Sequence, residues 1–326
     1  MAEAALLAPI AKFSDPEVTA KGERRARVAL AGLRTLWINT GSLCNITCRN
    51  CYIESSPDND RLVYITPAEA GPYLDEIARD GWPVHEIGFT GGEPFMNPDI
   101  IAMLGDALRR GYSVLVLTNA MQPMLRPRIR DGLAALRRDY YGDRLAIRVS
   151  LDHYTAKLHD TERNPGSFAK TVEGIDWLAR EGIKLALAGR TCWGENEEEA
   201  RAGYAALIAE RGWPIDARDH NQLVLFPEMD ERADVPEITE SCWGILGKDP
   251  NDVMCASSRM VVKRKGASHP VVLPCTLLPY DPAFEMGATL ADAAQADGGM
   301  FEHGAVKLCH PHCAKFCVLG GGSCST

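Results

Sequence analysis

Residues 35–52 read TLWINTGSLCNITCRNCY: a short apolar run, a glycine turn, then cysteines at 44, 48 and 51. A strand that delivers a reactive loop directly from its end is the unit from which the rest of the chain is read. Thr66, Pro67 and Glu69 next supply the N-cap, the first-position proline and the first-turn acid of a helix. HEIGFT (85–90) is a strand that ends on Gly91 and Gly92, and Asn97-Pro98-Asp99 opens a helix that stops at Gly111. The rhythm continues through SVLVLT (113–118), a helix near 127–138, RLAIRVSL (144–151) and a helix over 167–181 that Ser167 caps and Gly182 ends. IKLALAG (183–189), a helix over 195–211 and QLVLF (222–226) complete it. Repeated βα steps with Val-, Ile- and Leu-rich strands imply an α/β fold, a parallel sheet with right-handed crossovers and helices outside. An open doubly wound sheet and a partial barrel both fit. In either, chemistry belongs at the C-terminal ends of the strands.

The 326 residues carry 35 Lys+Arg against 44 Asp+Glu, a formal charge of −9, with 46% hydrophobic and 24% charged residues. That is the composition of a globular chain, not a disordered one. The acidic balance excludes a general phosphate-backbone binder, so no nucleic-acid partner is expected. Two short basic patches, around Arg24, Arg25 and Arg27 and around Lys263, Arg264 and Lys265, read as solvated surface. No apolar run approaches the ~20 residues of a membrane span, and MAEAALLAPIAKF lacks the basic start of a secretory signal. A cytoplasmic location is expected. Eleven cysteines then point to metal ligation or catalysis and not to disulfides.

Those cysteines fall in two groups. Cys44, Cys48 and Cys51 form C-x3-C-x2-C; Cys192 stands alone; Cys242, Cys255, Cys275, Cys309, Cys313, Cys317 and Cys324 crowd the last part of the chain. Three thiolates so close suit three irons of a cubane [4Fe–4S] cluster and leave the fourth iron open to a substrate or cofactor. A closed zinc site asks for a fourth nearby ligand that the loop lacks. After the second strand, Gly91 and Gly92 allow close approach of a ligand to the backbone, and Glu93 can accept from an ammonium group.

Together the C-x3-C-x2-C loop, the aromatic Tyr52 after it and Gly91-Gly92-Glu93-Pro94 resemble the radical S-adenosylmethionine (SAM) superfamily over roughly residues 34–226. The resemblance implies a partial (β/α)6 TIM-like barrel. It also implies a cluster held by Cys44, Cys48 and Cys51 whose open iron chelates SAM. Gly91, Gly92 and Glu93 would hold the methionine amino group, with Tyr52 beside the cofactor. Asn119, at the end of the third strand, matches a Thr-Asn pair near SAM in similar enzymes. Ser150 and Asp152, alternating to one side of the fourth strand, suit the ribose hydroxyls or the SAM carboxylate. Arg190, at the end of the fifth, suits that carboxylate or the substrate. Ala186, Ala188, Arg190 and Cys192 share one side of an extended fifth strand, which would place Cys192 at the rim as a hydrogen-atom donor. LHDTERNPGSF (158–168) resembles a stretch of the branch with extra clusters, although Asp160 and Arg163 read equally well as a structural ion pair.

Past Pro227 the rhythm stops. The chain divides into an N-terminal extension (1–33), the barrel (34–226), a connector (227–254) and a cysteine-rich unit (255–326). MVVKRKG and PVVLPC flank Gly266 as a hairpin, a short helix is expected over 288–296, and CHPHCAKFCVLGGGSC has no periodicity. Ligands rather than a hydrophobic core are expected to hold that tail. Cys255 and Cys275 around the hairpin, followed by Cys309, Cys313, Cys317 and Cys324, resemble the SPASM/twitch extensions, which implies at least one auxiliary [4Fe–4S] cluster. Cys242 is a weaker candidate ligand. Zinc is the rival, with His310 and His312 among the cysteines. His269 and His303 read as surface.

The expected function is a radical SAM oxidoreductase that splits SAM reductively and takes a hydrogen atom from a substrate C–H bond, the auxiliary cluster accepting an electron or binding substrate. Its electron donor would be flavodoxin or ferredoxin. About 34 residues precede the first strand, too few for a separate leader-recognition module, which favours a small molecule or short peptide as substrate. The alternatives are an epimerase with Cys192 as donor and a non-catalytic carrier of clusters.

Overall fold

A computed structural model describes residues 11–139, 142–227 and 234–321; Cys324 lies outside the described residues. Strands β1 (Arg27–Val28), β2 (Thr35–Asn39), β3 (Glu86–Thr90), β4 (Ser113–Thr118) and β5 (Leu145–Ser150) come first, then β6 (Lys184–Arg190) and β7 (Leu223–Phe226). β8 (Ser258–Val262), β9 (Val271–Leu273), β10 (Phe301–Glu302) and β11 (Ala305–Lys307) follow. The main sheet runs β7-β6-β5-β4-β3-β2-β8-β9. All its pairings are parallel except the β8–β9 hairpin.

The strands read as continuous apolar runs because both faces are covered: every residue of β2 and β3 is buried. One register pair shows how tight the stacking is. Trp37 of β2 lies opposite Gly88 of β3, and a Cβ on Gly88 would sit 2.3 Å from the indole. Only glycine leaves room for that ring.

Crossover helices close where local chemistry predicts. In α1 (Pro67–Asp80) the Glu69 carboxylate accepts from the Thr66 N–H at 3.0 Å, and Gly81 ends the helix in the left-handed region. After α2 (Ile100–Arg109), α3 (Gln122–Leu125), α4 (Pro127–Asp139) and α5 (Ala156–Arg163) comes α6 (Ser167–Glu181). Ser167 is not its N-terminal cap. Asp160 accepts instead from the N–H groups of Gly166 (2.7 Å) and Phe168 (2.8 Å). Asp160 therefore serves a helix end rather than pairing with Arg163. α7 (Glu197–Arg211) begins two residues later than the sequence suggested, because Glu195 is drawn away to His153 and Tyr154.

The hairpin forms as expected and joins the main sheet, with β8 beside β2. β1, β11 and β10 make a second small sheet, and the buried Arg25–Glu237 pair (2.6 Å) fixes the N-terminal segment against residues 234–242. α8 (Cys242–Leu246) and α9 (Leu290–Ala294) are each short. The tail departs from expectation. Residues Cys313–Leu319 form a π-helix that buries Cys313, Ala314, Phe316 and Val318, with Phe316 stacked on Phe226 of β7. Aromatic packing, as well as any ligand, holds it in place.

Candidate functional site

A cavity of about 130 Å³ opens at the C-terminal ends of β3 to β7. Its wall includes Cys44, Cys48 and Cys51, and Tyr52, Gly91, Gly92, Asn119, Ser150, Asp152 and Arg190 also reach it. Residues far apart in sequence are thus brought to one place by the parallel sheet.

The cysteine loop is braced on two sides. Toward β3, Gly92 donates to the Gly41 carbonyl (2.8 Å) and Glu93 to that of Leu43 (3.1 Å). The two glycines reach the cavity wall and also meet a second need. A Cβ on Gly92 would lie 2.2 Å from the Leu43 oxygen, and one on Gly91 2.5 Å from the Gly41 oxygen, with Gly91 at φ +137°. The glycines let the two strand-end loops interlock. On the other side, the Arg49 N–H donates to the Glu162 carbonyl (2.8 Å), Asn50 Nδ2 to its carboxylate (2.8 Å) and Asn164 Nδ2 to the Thr47 carbonyl (3.0 Å). Arg190 Nη2 donates to the Asn50 carbonyl (2.8 Å).

Burial first, then the nearby Glu93, pushes the Cys44 thiol up to about 12. Cys48 is also raised by burial, with Arg163 opposing. A bound metal reverses that balance, since ligation needs the thiolate. Glu93 is fully buried and accepts from Thr118 Oγ1 (2.8 and 2.9 Å), the Asn119 N–H (2.9 Å) and the Phe95 N–H (3.1 Å). Burial still raises its pKa against those bonds. Glu93 is absent from the described cavity wall, which Gly91 and Gly92 reach instead. Asn119 Nδ2 donates to Asn45 Oδ1 (2.9 Å) and approaches Cys44 Sγ (3.8 Å).

Asp152 sits between two arginines. Arg163 donates through Nε (2.7 Å) and Nη2 (3.0 Å), and Arg190 Nε lies 3.5 Å away. Burial works against the charged carboxylate, but Arg163 and then Arg190 outweigh it and hold its pKa below the usual range. Arg190 Nη1 is buried without an acceptor among the described residues. That is the condition an incoming carboxylate would satisfy. Cys192 lies two residues past β6 and is not among the described residues of the cavity wall.

A second, smaller cavity of about 10 Å³ gathers Cys255, Cys275, Cys313 and Cys317, with His312 beside them. Burial drives the Cys313 thiol well above its ordinary value, with Cys275 and Cys255 adding to it. Cys309 is not in that wall, although it too raises Cys313; its Sγ donates to the carbonyls of Phe13 and Asp15, both at 3.3 Å. Cys242 Sγ is occupied by Thr239, whose N–H lies at 3.3 Å. Leu277 lines both cavities. Among the described residues, no three Cys, His, Asp or Glu side chains are grouped to hold a single metal ion.

Sequence reading passed over Arg148, Asn45 and Phe316. Arg148 is buried on β5 and reaches the cavity two residues before Ser150, a place the two-residue alternation of that strand could have given. Asn45 lies inside the cysteine loop, but its pairing with Asn119 and the arrival of Phe316 at the cavity come only from the fold.

Comparisons with known proteins agree with this geometry. A model of the radical SAM superfamily matches residues 38–202. The antilisterial bacteriocin subtilosin biosynthesis protein AlbA of Bacillus subtilis (strain 168) is 32% identical over 146 residues, 44% of this chain and 30% of that protein. An AdoMet-dependent heme synthase of Methanosarcina barkeri (strain Fusaro / DSM 804) is 31% identical over 138 residues, 42% of this chain and 36% of that one. The chain thus spans about a third of the length of these curated relatives. Among solved structures, Streptococcus suis SuiB bound to S-adenosylmethionine aligns with a TM-score of 0.58 at 13% identity, covering 82% of this chain and 67% of that one. At that identity the likeness is one of fold, and it is the partial barrel expected from the sequence. Because the family match takes in just over half of the chain, including the three-cysteine loop and the ends of β3 to β6 at the cavity, the chain belongs to the radical SAM superfamily.

Proposed function

We propose that the chain is a radical SAM oxidoreductase that takes a hydrogen atom from a small-molecule or short-peptide substrate, with one auxiliary cluster at its second cysteine site. The family is one of enzymes that use a [4Fe–4S] cluster and SAM. The observation that carries the proposal is the convergence of Cys44, Cys48, Cys51, Gly91, Gly92 and Arg190 on a single cavity. When bound, the cluster supplies the electron that splits SAM into methionine and a 5′-deoxyadenosyl radical, which takes the hydrogen atom.

In this reading Cys44, Cys48 and Cys51 ligate three irons. The backbone of Gly91 and Gly92 meets the methionine amino group, while buried Glu93 ties that turn to the end of β4. Arg190 holds the SAM carboxylate through Nη1, and Asp152 acts by fixing both arginines rather than by touching SAM. Asn119 supports Cys44, and Tyr52 and Ser150 border the nucleoside. Leu117, Ala188, Phe226, Leu277 and Phe316 give the cavity an apolar wall that excludes water from the reacting carbon. At the second site Cys255, Cys275, Cys313 and Cys317 are the ligands. Four thiols lining one cavity are the donor set that a cubane takes.

Oxidation is preferred to epimerisation because Cys192 is not in the described cavity wall. A carrier of clusters would have no use for the SAM-facing strand ends. Flavodoxin or ferredoxin is the proposed electron donor. Streptococcus suis SuiB, whose fold this chain shares, has also been solved bound to precursor peptide SuiA, which keeps a peptide within the substrate class. Anaerobic protein with dithionite and SAM should release 5′-deoxyadenosine, and Cys48→Ala should release none. An iron-replete preparation that leaves SAM uncut with several reductants overturns the proposal. With substrate in D₂O, oxidation removes two hydrogens, whereas epimerisation would leave solvent deuterium at the inverted carbon.

A further inference from the structure

Arg259 is among the largest fully buried side chains, at 1% exposure. Its neighbours in β8 are apolar apart from Ser258, and no carboxylate of the described residues forms an ion pair with it. Nη1 donates to the carbonyls of Cys255 (2.6 Å) and Ser258 (2.7 Å), and Nη2 reaches the Gly304 carbonyl at 3.4 Å. Nε has no acceptor among the described residues. A buried guanidinium normally stands beside an anion, and leaving both its charge and an N–H unmatched is costly. The groups near it that can carry negative charge are Cys255 and Cys275, two of the four cysteines of the second site.

We propose that Arg259 is the counter-charge of the auxiliary cluster, with its Nε–H donating to a sulfur of that site. A four-thiolate cubane is a net anion, and hydrogen bonds and positive charge at its sulfurs stabilise the reduced state. Arg259 therefore raises the auxiliary potential and makes the site a better acceptor for an electron leaving substrate. It is a positioning residue, since its Nη1 also fixes the backbone of Cys255. The inference rests on the auxiliary cluster proposed above.

The test is a redox titration of the reconstituted full-length protein followed by electron paramagnetic resonance, with iron counted per chain. Arg259→Gln should lower the auxiliary midpoint by tenfold or more in the one-electron equilibrium, 59 mV or more, and leave the N-terminal cluster unmoved. Arg259→Lys, which keeps the charge, should shift it less. An unchanged midpoint in an iron-replete Arg259→Gln protein overturns the inference, as do equal shifts in the two variants. Should the glutamine variant not fold, parent protein carrying ¹⁵N-labelled arginine decides. A nitrogen coupling to the reduced auxiliary cluster supports the contact, and its absence overturns it. Parent protein with no auxiliary iron, or with zinc in its place, overturns the underlying cluster assignment and is told apart by metal analysis alone.

Discussion

Arg163 grips Asp152 with two hydrogen bonds, Nε at 2.7 Å and Nη2 at 3.0 Å, across the eleven residues from the end of β5 to the end of α5. The same arginine lies near Cys48 and Cys51. One buried pair therefore joins the strand end to the metal loop. Arg163→Gln should destabilise the protein by about 3 kcal/mol, because it leaves a buried carboxylate short of its main partner. Asp152→Asn in the same chain should restore part of that loss. Urea denaturation of both single variants and the double variant measures the coupling, and SAM affinity should fall in both single variants.

Gly92→Ala places a methyl against a backbone oxygen rather than a side chain that can turn aside. The interlocked loops must separate, at a cost on the order of 3 kcal/mol. The expected result is a lower urea midpoint and lost iron at the N-terminal site. Gly71→Ala, where a Cβ meets open space within α1, is the control and should do neither.

The second site distinguishes two cysteines that sequence spacing treated alike. Cys313→Ala should lower iron from about eight to about four per chain and remove one set of cluster resonances. Cys309→Ala should keep both clusters, because its thiol is engaged with Phe13 and Asp15.

His159 is buried with no hydrogen-bond partner among the described residues at either ring nitrogen, and burial and then Arg163 lower its pKa to about 4. The unfolded chain takes up its proton near pH 6.5 while the folded one does not, so this histidine costs stability as pH falls from about 6.5 toward 4. Between pH 7.5 and 5.5, His159→Leu should retain about 1 kcal/mol more of its pH 7.5 stability than the parent does of its own. Denaturant titrations at the two pH values measure the difference, with other titrating groups shared by both chains.

What was legible in the sequence is what chain-local chemistry dictates. The βα rhythm, the Thr66 cap, the glycine stops and the C-x3-C-x2-C loop all depend on residues close in sequence, and the architecture follows from them. Partners set by the fold were less accessible. Asp160 and Arg163 are three residues apart on α5, the spacing of a helical pair, yet each serves a different element. The tail offered no period because a π-helix has a repeat unlike the one sought, and its Phe316 packs on Phe226 of a distant strand. Arg259 gave no signal at all, since a lone arginine in an apolar strand acquires meaning only from what surrounds it.

Leu277 is shared by the walls of both cavities. In the proposed function this aliphatic side chain borders both the place where a carbon radical would arise and the place where its electron would come to rest. An electron passing between neighbouring sites needs neither a mobile carrier nor a passage for solvent. The radical could be quenched inside the protein before any outside molecule met it.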